Sequence, residues 1–282
     1  MAGVRIVTDS ACDLTTEEAT QWDVSIVSLT IRFGSDEFTD LVDLSVSDFY
    51  RRMAESADLP ETAAPAPGAF ETVFRDLAAQ GATGIVCINL SGELSATIES
   101  ARNAARAVEG DIDVRVIDSR TLTAGLGTIV LEAAKAAREG ASLDEIEAKV
   151  GALIPRTRVY ATLDTLDNLK KGGRIGAAKH LLGSMLSFKP VINVSEGKVE
   201  EAGRARTRKK ALVWLRDKLY EEATVEHLAV CDGEAADVDE FLDLIADRYP
   251  RDQIRTGRIG AVIGTHGGPR VLGICYLAGT PG

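Results

Sequence analysis

The sequence is poor in the residues that most often carry metal or covalent chemistry. Its 282 residues include three histidines and four cysteines, and no two cysteines are close enough to form a C-x-x-C motif. We therefore expect neither a metal centre nor a redox dithiol site. The chain also lacks a G-x-x-x-x-G-K-[ST] phosphate loop, a complete dinucleotide fingerprint and a G-x-S-x-G nucleophile elbow.

Long apolar segments and an excess of positive charge are absent as well. No run approaches the roughly 20 apolar residues that a membrane span needs, and Met1 to Arg5 do not begin a signal segment. The net charge of −11 argues against nucleic acid or an anionic membrane surface as the main partner. We expect a protein of the reduced cytoplasm.

The chain does contain an alternation of short apolar runs and helical patterns, which is typical of βαβ units and a parallel sheet. The predicted strands are Val4–Val7, Ser25–Phe33, Gly84–Asn89, Val114–Ile117, Val159–Leu163, Phe188–Val194, His227–Cys231, Ile259–Ile263 and Leu272–Leu277. The predicted helices are Asp48–Glu55, Gly68–Gln80, Leu94–Val108, Leu126–Arg138, Leu143–Leu153, Arg206–Glu222 and Val238–Tyr249.

The pattern of predicted elements changes near Arg156, where we place a domain boundary. The prediction is an α/β protein of two α/β domains. Residues 1–156 form the first, with a mostly parallel sheet flanked by helices, and residues 157–282 form the second, with a mixed sheet. In open parallel sheets, ligands bind outside the carboxyl ends of the strands.

Hydroxyl and carboxylate side chains follow several of the predicted strands of the first domain. Each has a plain alternative role as a helix cap, but together they favour a polar site at one sheet edge. Thr62, on an extended loop, is a further candidate for the same crevice. The strand-following residues are Thr8, Asp9, Ser10, Ser91, Ser95, Asp118, Ser119, Thr121 and Thr123.

A histidine lies among glycines near the C-terminus, in the run Gly264-Thr265-His266-Gly267-Gly268-Pro269. Glycine and proline are turn signals, so we expect a loop that presents the imidazole to an anionic or polar ligand. The alternative is a surface histidine in a tight turn. A site of hydroxyls and one imidazole is typical of a holder of carboxylates or other polar headgroups.

A basic run, Arg204-Ala205-Arg206-Thr207-Arg208-Lys209-Lys210, interrupts the acidic sequence at a predicted helix start. Cations at a helix N-terminus oppose the helix dipole. This predicts an anionic partner, such as a phosphate or an acidic protein face. The alternative is a solvated helix start.

Motifs spread along the whole chain resemble the signatures of the DegV family. They occur in the family's order from about residue 4 to the C-terminus, which is more specific than any single motif. They are Thr8-Asp9-Ser10, Ser91-Gly92-Glu93-Leu94-Ser95-Ala96-Thr97, Asp118-Ser119 with Gly125-Leu126-Gly127, Leu169-Lys170-Lys171-Gly172-Gly173-Arg174-Ile175, Lys189-Pro190-Val191-Ile192, Arg206-Thr207-Arg208-Lys209-Lys210-Ala211 and Thr265-His266-Gly267-Gly268-Pro269.

The resemblance implies a long-chain fatty acid held between the two α/β domains. It implies that Thr62, Ser95 and His266 bind the carboxylate. It also implies that the chain is a non-catalytic, acyl-carrying subunit whose bound acid is phosphorylated by a separate ATP-binding fatty acid kinase subunit. Further candidates for contacts with the pocket or the partner are Ser91, Arg174, Arg204, Arg206 and Arg208. We expect a monomer that needs no cofactor.

Two departures from the family pattern leave the hydrogen bonds at the headgroup open. The family's T-S-Q-P-S loop reads Thr62-Ala63-Ala64-Pro65-Ala66 here, so Thr62 is retained but the neighbouring hydroxyls are missing, and Ala96 replaces a glycine. The apolar stretch Leu181–Phe188 either lines the acyl slot or is ordinary core, and composition favours core. Two other functions remain open: a hydrolase or kinase-like enzyme that uses Ser95 and His266, and a sensor of a small molecule other than a lipid.

Overall fold

Three β-sheets organise the computed structural model, which describes residues 3–56, 58–179 and 188–279. The strands are β1 Gly3–Asp9, β2 Val24–Val27, β3 Thr30–Phe33, β4 Asp36–Thr39, β5 Glu61–Ala63, β6 Ala82–Asn89, β7 Val114–Asp118, β8 Thr157–Thr162, β9 Lys189–Asn193, β10 Glu200–Ala205, β11 Val225–Asp232, β12 Arg255–Arg258 and β13 Leu272–Ala278. The helices are α1 Thr16–Trp22, α2 Val46–Glu55, α3 Pro67–Ala79, α4 Thr97–Ala107, α5 Thr123–Arg138, α6 Leu143–Leu153, α7 Asp167–Lys171, α8 Arg208–Tyr220, α9 Val238–Ile245 and α10 Ala261–Gly267.

The first sheet is parallel, with strand order β2-β1-β6-β7. The inner strand β6 is buried on both faces, because helices cover both sides of the sheet, and its sequence is accordingly an apolar run. Phe70 and Phe74 of α3 are buried against one face. Leu126 and Ile129 of α5 are buried against the other. This is the predicted parallel sheet flanked by helices.

The second sheet has the strand order β10-β9-β8-β13-β11-β12 and is mixed, because β11 and β12 are parallel and the other neighbours are antiparallel. Side chains alternate between its faces, as the period of two requires. Tyr160 and Ile274 pack on one face with α8 and α9. Val159 and Cys275 lie on the opposite face, toward the first sheet. Both sheets of the predicted two-domain α/β fold are therefore present.

The third sheet is small and antiparallel, with order β4-β3-β5. It corrects the prediction of one strand over Ser25–Phe33, which is divided between β2 and β3. The chain bends between them, where the Leu29 amide donates to Ser10 Oγ and the Leu29 carbonyl accepts from the Asp40 amide. The bend separates two apolar runs that read as one in the sequence.

The predicted strand over Ile259–Ile263 and the predicted histidine loop were also wrong. Residues 261–267 form α10, so His266 lies in the last turn of a helix. Ala261 and Val262 are buried in the core beside the first sheet. A short apolar run does not distinguish a strand from a buried helical segment, and tertiary packing favours the helix here.

The basic run begins in a strand and ends in a helix. Arg204 belongs to β10, and α8 begins at Arg208 with Thr207 as its N-cap. The sequence analysis also missed α1, which a capping box between Thr15 and Glu18 starts. The stretch 181–187, considered above as acyl-slot or core residues, lies outside the described residues.

Polar contacts link the elements of the two sheets along one edge. Arg255 of β12 makes a bidentate ion pair with Glu18 of α1, with both bonds at 2.9 Å. The Tyr50 hydroxyl of α2 donates to the Ile259 carbonyl at 3.0 Å. The Gly260 amide, at the start of α10, donates to Asp13 at 3.0 Å. These bonds fix α10 and its histidine against the first sheet. The boundary near Arg156 remains a prediction.

Candidate ligand-binding cavity

An apolar cavity lies between the first and second sheets. It has about 830 Å³ of space free of protein atoms, part of it open to solvent. Its walls come from both sheets and from α10. The apolar lining includes Leu29, Leu90, Leu94, Leu122, Val159, Leu163, Leu169, Ile192, Val194, Val199, Ile259, Val262, Ile263 and Val271. Such a space accommodates an apolar chain.

A hydrogen-bonded pair of polar side chains, Thr62 and His266, lines the cavity. Thr62 Oγ1 lies 2.9 Å from His266 Nε2. Thr62 is held on β5 and His266 in the last turn of α10, so the pair joins a strand of the small sheet to the C-terminal part of the chain. The histidine Nδ1 is buried and has no hydrogen-bond partner among the described residues.

Gly172 sets the position of the imidazole, a role that the sequence analysis did not assign. Its φ of −72° and ψ of −4° are ordinary helical values that any L-residue adopts. A Cβ at this position would nevertheless overlap His266 Nδ1. The glycine is therefore required for space and not for backbone conformation. Its occurrence in the Lys170-Lys171-Gly172-Gly173 block was the only signal in the sequence.

His266 is neutral at physiological pH. Burial, and then the positive charge of Arg174, lower the pKa of the imidazole from 6.5 to about 4. A neutral imidazole donates from one nitrogen only. When Nε2–H donates to Thr62 Oγ1, the threonine hydroxyl is free to donate its own proton to a ligand oxygen. In the other tautomer, the threonine hydroxyl donates to Nε2.

Ser95 and Arg174 extend the polar part of the lining. Ser95 Oγ lies 2.9 Å from Thr97 Oγ1 and accepts a hydrogen bond from the Thr97 amide at 3.3 Å. Thr97 is the first residue of α4, and Ala96 is the N-cap. Arg174 Nε donates to the Leu94 carbonyl at 2.9 Å, which connects the two domains beside Ser95. The structure therefore brings Thr62, Ser95, Arg174 and His266 into one cavity lining.

Ser91 and the basic run lie elsewhere than in this lining. The buried Ser91 hydroxyl donates to the Gly197 carbonyl at 2.7 Å and so connects the domains. Arg204 pairs with Glu201 at 2.5 Å. Arg208 makes a bidentate pair with Asp237, and both side chains are largely buried. Arg206 is exposed.

Most hydroxyl and carboxylate groups of the predicted polar edge stabilise the fold. Asp9 accepts from the amides of Ala11 and Leu90 and from Asn89 Nδ2, while burial raises its pKa to about 6. Thr123 does line the cavity, and its hydroxyl donates to Asp13. Burial raises the pKa of Asp13 to about 7. The ends of the strands thus bring these polar groups close together, but most of the groups already form hydrogen bonds within the protein.

The geometry is that of a binding site for an amphipathic anion. Hydroxyl donors and one guanidinium lie among apolar walls, a pattern that holds a polar head and buries an apolar tail. Within the described ranges, no cluster of three His, Cys, Asp or Glu side chains is suited to a metal ion. A search of the same part of the chain finds no helix with the length and apolarity to cross a membrane.

Comparison with known proteins gives a consistent match over almost the whole chain. Residues 3–279 match the family described as "Uncharacterised protein, DegV family". A DegV domain-containing protein of Listeria monocytogenes is 33% identical over 279 residues, covering 98% of this chain and 99% of the relative.

Several solved structures with the same fold are described as binding fatty acids. One is a fatty-acid-binding DegV family protein from Thermus thermophilus, with a TM-score of 0.90, 30% identity and coverage of 98% of this chain and 99% of its own. Another is a stearic acid-binding protein from Eubacterium ventriosum, with a TM-score of 0.86, 29% identity and coverage of 99% of this chain and 98% of its own.

Proposed function

This chain belongs to the DegV family, and we propose that it binds one long-chain fatty acid in the cavity between its two sheets. The observation that carries the proposal is an apolar cavity whose polar lining includes the linked pair Thr62 and His266. The similarity to the fatty-acid-binding structures from Thermus thermophilus and Eubacterium ventriosum supports the same ligand class.

The apolar walls supply the affinity. Each methylene group that leaves water contributes about 0.8 kcal/mol, so a long acyl chain contributes more than the few hydrogen bonds at its head. The carboxylate cannot enter such a cavity unpaired, because a buried charge without partners is strongly unfavourable. In this proposal the hydroxyls of Thr62 and Ser95 donate to the carboxylate oxygens.

His266 then acts through Thr62. Its Nε2–H donates to Thr62 Oγ1, which leaves the threonine proton directed to the carboxylate. The neutral imidazole fills this role in its Nε2–H tautomer, in which it donates to Thr62 Oγ1 without adding a charge to the site. Arg174 supplies the positive charge of the site, and its bond to the Leu94 carbonyl holds it beside Ser95.

We further propose that the chain presents this carboxylate to a separate ATP-binding kinase subunit and is not catalytic alone. Among the three arginines of the basic run, Arg206 is the best placed for such docking, because it is exposed whereas Arg204 and Arg208 already pair with carboxylates. We also place the protein in the cytoplasm, as a monomer without a cofactor. Isolated protein incubated with ATP and fatty acid should form no acyl phosphate, and addition of the kinase subunit should permit its formation.

An enzyme that uses Ser95 as a nucleophile fits the geometry less well. A serine nucleophile requires a base in contact with its hydroxyl. The recorded partner of Ser95 Oγ is Thr97 Oγ1, and that of His266 Nε2 is Thr62. Turnover of an ester or of ATP by the isolated chain would favour the enzyme instead.

The carboxylate site is tested by Ser95→Ala, Thr62→Val and His266→Ala, each measured by calorimetric titration with a long-chain fatty acid. Each variant removes a hydrogen bond to a charged group or its support, so the binding free energy should weaken by about 1–3 kcal/mol. Circular dichroism serves as the control for folding. Unchanged dissociation constants in all three folded variants would place the carboxylate elsewhere.

A further inference from the structure

The wall that the second sheet contributes to the cavity has its smallest residues at its centre. On the cavity face, the register places Ala161 of β8 opposite Gly273 of β13, and Gly273 opposite Cys231 of β11. All three line the cavity. We call this row of Ala161, Gly273 and Cys231 the furrow.

Larger side chains border the furrow. Ile192 lies opposite Ala161 on β9. Leu163 and Val271 line the cavity beyond the furrow in one strand direction, and Val159 and Val194 line it in the other. Since neighbouring strands are about 4.8 Å apart, the furrow is a channel about 10 Å long that crosses three strands.

Gly273 determines the depth of this channel. The three nearest atoms to a Cβ built on it are the Tyr160 carbonyl oxygen at 3.3 Å, Ala161 Cβ at 3.6 Å and the Cys231 carbonyl oxygen at 4.0 Å. All of them belong to the adjacent strands, so within the described part of the chain no atom of the opposite wall lies closer than 4.0 Å. A side chain at position 273 would therefore occupy the cavity itself.

We infer that the furrow receives the acyl chain and that Gly273 is a specificity-determining residue for chain length. The inference rests on the proposed function and deepens it. An acid long enough to reach the furrow packs its methylene groups against backbone at Gly273. A larger residue there displaces those methylene groups, whereas an acid too short to reach the furrow is unaffected.

The test is Gly273→Val, with dissociation constants measured for straight-chain saturated acids from octanoic to icosanoic acid. Displacement of about two methylene groups weakens binding of the long acids about tenfold. The loss should diminish as the chain shortens, and an acid too short to reach the furrow should change by less than about threefold. The control is Gly257→Ala, which lies in the same row on β12 but outside the cavity lining, where the nearest atom to the added Cβ is Cys231 Sγ at the ordinary contact distance of 3.6 Å. It should leave the whole profile unchanged.

Ala161→Val provides a second test, because it narrows the same furrow without altering a glycine. A chain-length-dependent loss in either folded variant supports the inference. Dissociation constants equal to those of the wild type, or an equal loss of affinity for all acids, would overturn the inference about the furrow without overturning the proposed function. Failure of the wild-type protein to bind any acid would instead overturn the proposed function.

Discussion

Substitution of Gly172 by alanine tests whether the position of His266 controls ligand binding. The backbone at Gly172 is helical, so alanine is conformationally compatible. At such positions, Gly→Ala stabilises a protein by about 0.4–1 kcal/mol through the unfolded chain. The new methyl group would overlap His266 Nδ1 and force the imidazole away from Thr62. Loss of that hydrogen bond removes about 0.5–1.5 kcal/mol of stability.

The two effects on stability nearly cancel, but only one of them acts on binding. We expect the free energy of unfolding to change by less than about 1 kcal/mol. Without the bond from His266, Thr62 no longer directs its proton to the carboxylate, and a hydrogen bond to a charged group contributes about 1.5–3 kcal/mol. Fatty acid affinity should therefore fall about tenfold to a hundredfold.

The assay is displacement of a fluorescent fatty acid, combined with urea unfolding of the same samples. Gly151→Ala is the control, because a Cβ at this position in α6 contacts nothing within 4 Å. It should leave affinity unchanged and raise stability slightly. If Gly172→Ala binds fatty acid as tightly as the wild type, the imidazole does not control the carboxylate site.

Three further predictions concern charges in and around the site. In ligand-free protein, an NMR titration should give His266 a pKa below about 5, since burial disfavours the imidazolium. The His266 resonance is identified by its absence from the spectrum of His266→Gln. A titration midpoint near 6.5 for that resonance would refute the prediction. Burial opposes the shift, but the hydrogen bonds from Arg255 lower the pKa of Glu18 below its ordinary value of 4.5. The stabilisation from this pair is therefore present above pH 4.5 and is lost as the pH falls through the lower folded value. Glu18→Gln should cost about 1–3 kcal/mol at pH 7, and it should reduce the loss of urea-measured stability at acid pH. Arg206→Glu should slow acyl phosphate formation with the kinase subunit, while the free energy of unfolding changes by less than about 0.5 kcal/mol. Arg208→Glu should instead destabilise the fold, because the new carboxylate would face Asp237. Equal kinase rates for the wild type and Arg206→Glu would show that Arg206 is not part of the docking surface.

The sequence predicted the class of the fold because the strongest patterns are long and periodic. Helix α6 occupies Leu143–Leu153 as predicted, and the apolar run that ends at Asn89 is the central strand of the parallel sheet. The failures occurred in short apolar runs, where several local structures fit equally well. Ile259–Ile263 is such a run, and contacts made by Ala261 and Val262 with distant residues decide its structure.

The sequence predicted several residues of the cavity lining but not their geometry, and their contact with a carboxylate stays a prediction. Thr62, Ser95 and His266 all line the cavity, although they are far apart in sequence. The role of Gly172 could not be derived from the sequence, because it depends on the imidazole of a helix almost a hundred residues away. The lining role of Gly273 depends likewise on strand register. Glycine patterns identify turns well, but they do not reveal where a side chain is excluded by a distant group.

The most direct test of the central claim is native mass spectrometry of the purified protein before and after solvent extraction. We predict a mass excess equal to one long-chain fatty acid per chain, which extraction removes and which gas chromatography identifies as an acyl acid. Extracted protein should recover this mass after incubation with a fatty acid panel. Protein that carries no acid and takes up none from the panel would contradict the assignment of this cavity to fatty acid binding.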